Sequence, residues 1–449
     1  MAQQSYFDAF IEHTEQHNPH QPEFIQAVTD IATDVVPIVN AHEEYKAHRV
    51  LYQLAVPDRL IAFKVIWEDD NGNVQINRGW RVQQSNVLGP YKGGLRFHPS
   101  VNESILKFLA FEQCFKNALT GLSLGGAKGG SDFNPKGRSD AEIMRFCKAF
   151  MSELYRHVGP QTDVPAGDIN VGQREIGYLF GQYRRLSNEF VGTITGKDLA
   201  FGGSHVRLEA TGYGVVFFLE CMLAEQDQKL ANMKVNVSGA GNVALFAAQK
   251  AIASGACVRT LSNSKGTLFV AQGLNASNIQ TLLDNSAGEN PLEQIASSGV
   301  GKWIEKQKPW QFECDVALPC ATQNEVNKQD IEQLIDNGLR YLVEGANMPL
   351  TADAEELVRS SQVLYAPGKA SNAGGVAMSG FEMGQNAQFH QLPFSQLEGK
   401  LKEVMMHIHK QCMSDGMPSS LNDKTIDYVR GANVAGFRRL ADAIVAQGY

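Results

Sequence analysis

Residues 235–244, Val-Asn-Val-Ser-Gly-Ala-Gly-Asn-Val-Ala, run from a β-branched strand into a Gly-x-Gly-x-x-Ala turn and straight on into a helix. Alone, such a pattern is a weak signal that a bare turn could also give. The strand before it, the helix after it and a second strand on schedule make it restrictive. The glycines allow a turn that side chains would block, and a helix starting there crosses over to a strand parallel with the first. Apolar strands follow on that schedule at residues 257–262, 316–318, 341–343 and 363–365, with helical stretches between them. Strands alternating with helices specify a parallel sheet wound in βαβ units.

The same turn has a chemical meaning. Backbone N–H groups at a helix start can cradle a pyrophosphate, which makes Gly239, Gly241, Asn242 and Val243 candidates for holding a dinucleotide. The second strand ends in Ser262-Asn263-Ser264-Lys265. An acidic residue there would pair the ribose hydroxyls of NAD and repel a 2′-phosphate, whereas donors and a positive charge select NADP. A plain polar turn would have the same composition. Three later strand ends, at residues 319–324, 344–347 and 369–375, are again small and polar, as the lining of a ligand crevice would be.

A chain of 449 residues exceeds one ordinary core, so two domains are expected. A joint at residues 201–204 separates a mixed α/β domain, 1–200, from the Rossmann-like domain, 201–423, with a cleft between them. Residues 424–449 are expected to form a helix folding back on the first domain. In that domain residues 60–67 and 74–82 read as a hairpin, and 102–119 as a helix. Ser139 and Glu142 form a capping box that opens another. The first 50 or so residues carry no interpretable motif. A formal charge of -8 argues against a nucleic-acid partner, and the longest apolar runs are too short for a membrane span. The polar start carries no secretory signal, and seven cysteines without a Cys-x-x-Cys pair fit a reducing cytoplasm, with neither a disulfide frame nor a metal knot.

Three lysines of the first domain stand in glycine-rich or helix-end contexts. Lys92 lies in Gly-Pro-Tyr-Lys-Gly-Gly, Lys128 in Gly-Gly-Ala-Lys-Gly-Gly, and Lys116 near the end of the 102–119 helix, three residues after Gln113. Glycine-flanked loops let backbone pass close to a ligand. Separate cations suit a dicarboxylate, and a lysine crowded and desolvated among others acquires a depressed pKa and can serve as a base. Read singly, Lys116 could serve the helix dipole and each loop lysine could be solvated. Asp168, after Pro165-Ala166-Gly167, is either a surface-turn carboxylate or a proton carrier beside an amine.

Together these stretches resemble a known family. GPYKGGLRF, FEQCFKNAL, LGGAKGG, DFNPKG, PAGD, GGSHVRLEATGYG, SGAGNVA, LPCATQNE, EGANMP and NAGGVAMSGFEMGQN occur in order, and the likeness runs from about residue 50 to the carboxyl terminus. They resemble the glutamate dehydrogenases of the small hexameric type, within the Glu/Leu/Phe/Val dehydrogenase family. The resemblance implies a cytoplasmic NADP enzyme without a metal, interconverting L-glutamate with 2-oxoglutarate and ammonia by hydride transfer through an iminium. Lys128 is implied as the catalytic lysine and Asp168 as its proton-transfer partner. Lys92, helped by Ser379 from the second domain on closure, would hold the side-chain carboxylate. Gln113, Lys116 and the backbone at Gly167 would hold the α-carboxylate end. Thr211 and Asn242 resemble cofactor contacts, with Asn347, Arg207 and Asn372 behind them. Lys136 resembles a lysine that in some members reaches the NADP phosphate across the cleft.

The pattern also departs from the family. Asn170 and Gln173 stand at two usual glycine positions after Asp168, and Asn263 replaces an aspartate usual in NADP-type members. His98 and His205 read as structural. The nearest rival is a dehydrogenase for branched or aromatic amino acids, which has no use for a cation beside the substrate side chain. A silent nucleotide-sensing protein on the same fold is the rival from another class, and Lys128 with Asp168 speaks against it.

Overall fold

The computed structural model describes residues 5–285, 290–417 and 426–448. By proximity of its Cα atoms the chain divides into two compact units. The first takes the described residues of Met1–His205, Val376–Leu397 and Asn433–Tyr449, and the second those of Val206–Gly375 and Glu398–Ala432. Besides the expected crossing near residue 200 and the return of the C-terminal segment, the chain visits the first unit once more, at Val376–Leu397. The boundary expected at 423 falls in 418–425, outside the described residues, as do 449 and the start at 1–4. The segment 376–397 joins the first unit for a visible reason. Glu382 accepts hydrogen bonds from the backbone N–H of Gly196 and from Lys197 Nζ (2.7 Å), a buried ion pair. Further along, Gln385 donates to Ser204 and Asn386 to the carbonyl of Gly202.

The first unit is built on a five-stranded sheet: β1 (Arg59–Glu68), β2 (Val74–Ser85), β3 (Tyr91–Phe97), β4 (Gly126–Ser131) and β5 (Asp163–Gly167), in the order β1-β2-β4-β3-β5. The expected hairpin is β1 and β2, antiparallel with Leu60 opposite Val82. The glycine-rich stretches around Lys92 and Lys128 are not loops. They are strands β3 and β4, parallel and adjacent near the middle of the sheet. Glycine serves close packing there: a Cβ on Gly126 would stand 2.2 Å from Cys114 Sγ of the Glu103–Leu119 helix.

The sheet's two faces have different company. Leu95 and Phe97 point to a core completed by the helices Asp140–Leu154 and Gln173–Ser187. Val82 and Trp80 pack with Leu106 and Ala110 of the Glu103–Leu119 helix on the other face. Asn102 caps that helix and Ser139 with Glu142 forms the expected capping box on the next. The amino-terminal residues pack on the same helix. Ser104 donates to Glu23 (2.6 Å), and Lys107 donates to Asn18 while its ammonium lies over the Phe24 ring.

The second unit holds β6 (Lys234–Val237), β7 (Cys257–Asn263), β8 (Gly266–Phe269), β9 (Lys302–Glu305), β10 (Val316–Leu318), β11 (Tyr341–Val343) and β12 (Leu364–Ala366). Their order is β12-β11-β10-β6-β7-β8-β9, parallel from β12 to β7 and antiparallel beyond. The chain leaves β6 toward β7 on one side and returns as β10 on the other. Between β6 and β10 the strand order therefore reverses, which is where open α/β sheets bind ligands. No described helix is long and apolar enough to cross a membrane.

Candidate active site

Alternation along the strands places the ionisable groups of the first unit. Lys128 lies opposite Val82, so it faces the Glu103–Leu119 helix. Leu95 pairs with both Gly129 and Gly167, and its side chain points the other way. Lys92, Gly94 and Arg96 on β3 therefore share the face of Lys128, together with Asp168 just past β5. Gly94 is the gap in this row. A Cβ there would stand 2.8 Å from Asp168 Cβ and 2.7 Å from the carbonyl oxygen of Gly167.

Over that gap the charges meet. Lys128 Nζ lies 2.9 Å from Asp168 Oδ1, and Arg96 Nε lies 2.7 Å from Asp168 Oδ2. The side chains are only 5 %, 13 % and 11 % exposed for Lys128, Asp168 and Arg96, so water screens them weakly. Burial pushes the Asp168 carboxyl up, but Lys128 and Arg96 together outweigh it and hold it well below the usual carboxylate range. For Lys128 burial dominates and lowers its pKa, with Asp168 opposing and Arg96 assisting. A carboxylate favoured in its ionised form beside a lysine eased toward its neutral form is a proton-handling pair. Arg96 stood inside a quoted motif, yet its sequence gave no hint of this role.

Lys92 is buried on β3, and its carbonyl accepts from Asn117 Nδ2 at 3.0 Å. Gln113 and Lys116 are half-buried on the Glu103–Leu119 helix, where Gln113 donates to Asn117 Oδ1 at 2.7 Å. That helix packs on the lysine-bearing face. Ser379, expected from the other domain, lies in the same unit as Lys92. Thr195 was passed over in the sequence. Its N–H donates to the carbonyl of Pro165 on β5, while its hydroxyl is buried with no hydrogen-bond partner.

The two departures after Asp168 fit their places. Asn170 has φ +58°, the left-handed region that glycine and asparagine tolerate, and its side chain donates to the carbonyl of Phe97. Gln173 opens the next helix and donates to Asp198. Neither side chain is turned against Asp168.

In the second unit β6 runs into Gly239, whose φ of +91° and whose Cβ position, 3.0 Å from the carbonyl oxygen of Cys320, both call for glycine. Gly241 differs: a Cβ there would meet nothing within 4 Å. It is exposed at the start of the Asn242–Ala253 helix, where no side chain caps the leading N–H groups. Open space before uncapped donors fits a dinucleotide pyrophosphate. Ser262 is buried and its hydroxyl accepts from the Gly239 N–H at 3.1 Å, so it fastens the turn. Ser264 and Lys265 are exposed as the two-residue turn between β7 and β8. Asn263 accepts from the Lys265 N–H and donates to Asn290. Glu325 ties the neighbouring loops by accepting from Ser238 and from the Ala321 N–H.

Thr211 lies where a Cβ on Gly375 would reach its hydroxyl at 2.6 Å, with Arg207 Nη1 nearby. Asn347 is exposed and accepts from Asn372, whose amide also donates to the carbonyls of Gly345 and Ala346. Lys136 is exposed on a turn of the first unit. Among the described residues no group of His, Cys, Asp and Glu is placed to hold a metal ion.

The chain is similar to known proteins over its whole length. Residues 57–185 match the Glu/Leu/Phe/Val dehydrogenase dimerisation domain, and residues 202–448 match the glutamate/leucine/phenylalanine/valine dehydrogenase model. An NADP-specific glutamate dehydrogenase of Psychrobacter sp. (strain TAD1) is 54% identical over 98% of both chains. One from Haemophilus influenzae is 49% identical over the whole of both. A solved glutamate dehydrogenase structure from Plasmodium falciparum superposes with a TM-score of 0.95 at 47% identity, covering 99% of this chain and 94% of that one. The chain belongs to the glutamate/leucine/phenylalanine/valine dehydrogenase family.

Proposed function

We infer that this chain catalyses the NADP-dependent, reversible oxidative deamination of L-glutamate to 2-oxoglutarate and ammonia. The observation that carries the reading is the shared face of β3, β4 and β5, where buried Lys92 lies beside the Lys128–Asp168–Arg96 cluster. A dehydrogenase for an apolar amino acid has no use for a cation beside the substrate side chain, whereas the second carboxylate of glutamate does.

On this reading the first unit is the substrate and oligomerisation part, and the second is the dinucleotide part. Lys92 and Ser379 hold the substrate's side-chain carboxylate, while Gln113, Lys116 and the Gly167 backbone hold the α-carboxylate end. Held at both ends, the α-carbon is set beside Lys128, and alignment itself lowers the barrier. Lys128 exchanges a proton with the water or ammonia that adds to the α-carbon, and Asp168 carries the proton to and from the nitrogen. Arg96 keeps Asp168 ionised and fixes its second oxygen. NADPH, when bound, supplies the hydride to the iminium carbon. Gly239, Gly241, Asn242 and Val243 would hold its pyrophosphate, with Ser262 behind the turn. Ser264 and Lys265 would face the 2′-phosphate, a second cation coming from Lys136, and Thr211 and Asn347 would complete the site. A homohexamer in the cytoplasm completes the proposal, and solution scattering tests the subunit number.

Initial rates of reduced-nicotinamide oxidation with 2-oxoglutarate and ammonium test the function. A fast rate with NADPH and a slow one with NADH is expected. Equal rates would overturn the part given to Ser264 and Lys265, and no rate with either would overturn the assignment.

A further inference from the structure

The Glu103–Leu119 helix and β4 are joined by residues 120–125, a connection that adjoins several of the proposed substrate contacts of the first unit. It follows Gln113 and Lys116, precedes Lys128, and holds Lys92 through Asn117, whose amide donates to the carbonyls of Lys92 and Gly125. It also meets the helix that bears Ser379. A Cβ on Gly380 would stand 2.7 Å from Leu122 Cδ1 and 3.4 Å from Leu124 Cδ1, so these leucines lie directly against the backbone next to Ser379.

One side chain from a distant part of the sequence fixes this connection. Arg439, on the Tyr428–Gln447 helix, donates from Nη1 to the carbonyl of Ala118 (2.7 Å) and from Nη2 to those of Gly121 and Leu122 (both 2.9 Å). Three residues earlier Gly436 brings the two helices together, since a Cβ there would meet the Phe115 carbonyl oxygen at 3.0 Å. The end of a helix leaves carbonyls without partners, and a guanidinium supplies several donors in a fixed plane that a lysine cannot imitate. Backbone N–H groups of Thr120 and Gly121 close part of this helix end, and Arg439 adds the side-chain donors that tie it to the carbonyls beyond.

We propose that Arg439 is a positioning residue for substrate selection: by fixing residues 118–122 it sets Leu122 against Gly380 and so holds Ser379 in register with Lys92. The proposal rests on the reading of Lys92 and Ser379 as the contacts for the side-chain carboxylate. It predicts a selective fault. Loosening the connection blurs recognition of the far carboxylate while leaving the second unit's dinucleotide residues untouched.

The test compares 2-oxoglutarate with 2-oxovalerate, which has a methyl group in place of the far carboxylate, in wild type, Arg439→Met and Arg439→Lys. Small misplacements at a positioned site cost up to about a hundredfold. The preference for 2-oxoglutarate, as a ratio of kcat/KM, is expected to fall roughly tenfold in Arg439→Met, chiefly through KM for 2-oxoglutarate. NADPH binding, followed by its fluorescence, should not change. Arg439→Lys should recover part of the ratio, because it restores charge and a donor but not the fork. Leu122→Ala should lower the ratio in the same way and serves as the readout if Arg439→Met does not fold. Equal losses on both keto acids, or an unchanged ratio in the folded variants, would overturn the proposal. A wild type with no preference for 2-oxoglutarate would instead overturn the reading of Lys92 and Ser379.

Discussion

Two aspartates bracket β5, five residues apart, and they face opposite sides of one sheet. Asp163 meets Arg81 at 2.5 and 2.9 Å and also accepts from Gln83, with no exposed surface on either member of the pair. Arg81 donates in addition to the carbonyl of Gly93. Every charge there is matched within the protein, and nothing remains to offer a ligand. Asp168 is shared between Lys128 and Arg96, above a glycine, at the partly open end of the strand. The same residue type on the same strand thus serves as a sealed anchor on one face and as a proton-handling group on the other. What separates them is company: a bidentate arginine in a closed core, against a lysine whose proton is loosened by burial.

The comparison can be broken in order of expected effect. Lys128→Ala should lower kcat by about 10⁴-fold, near the upper end of what a positioned acid–base group supplies. NADPH binding, measured by fluorescence, should persist in that variant. Asp163→Asn should act on the other quantity. Leaving Arg81 buried without its counter-ion costs about 3–5 kcal/mol, read as a lower urea midpoint, while the folded fraction keeps its kcat. Gly94→Ala should damage both, with about 1–3 kcal/mol of overpacking and a fall in kcat as Asp168 is displaced.

The titration of Lys128 sharpens the contrast. Burial lowers its pKa, so with an amine-acylating reagent, followed by mass spectrometry, it should become reactive at a lower pH than exposed lysines. In Asp168→Asn the half-point should fall further, because the carboxylate that favours the charged form is gone. For Asp168 the sign is that of a depressed acid. Its stabilising effect is complete above the unfolded value of about 3.9 and is lost as pH falls through the folded one. The smallest effect belongs to the loop beyond. Asn170→Gly should change stability by no more than about 0.5 kcal/mol, whereas Asn170→Ala should cost about 1–2 kcal/mol at its positive φ.

Legibility in the sequence followed the same divide. The second unit was readable because β-branched strands, a glycine turn and helices recur with a period that local sequence must obey; β10 and β11 lie at the expected residues. The antiparallel β8 and β9 were not foreseen, being short and less apolar. In the first unit β3 and β4 read as loops from the sequence. Glycine has low strand propensity, and only the packing of Cys114 and Asp168 against Gly126 and Gly94 explains why strands there are made of it. Lys128 and Asp168 stand out as candidates in the sequence itself, and only the roles proposed for them come from resemblance to the family. Arg96, Thr195 and Arg439 were not found, since each acts through partners distant in sequence: Asp168, the strand β5 and the 118–122 connection. Ser379 groups with the first unit, since Glu382 on the same helix binds Lys197, and nothing local in the sequence announces that contact.

The most direct test is the initial rate of NADPH oxidation with 2-oxoglutarate and ammonium, measured side by side for wild type, Asp168→Asn and Asp163→Asn at matched folded concentration. Wild type should turn over, Asp163→Asn should keep most of that rate per folded molecule, and Asp168→Asn should lose on the order of 10²–10⁴-fold while remaining folded. An active Asp168→Asn, or a folded but inactive Asp163→Asn, would contradict the division of labour between the two faces.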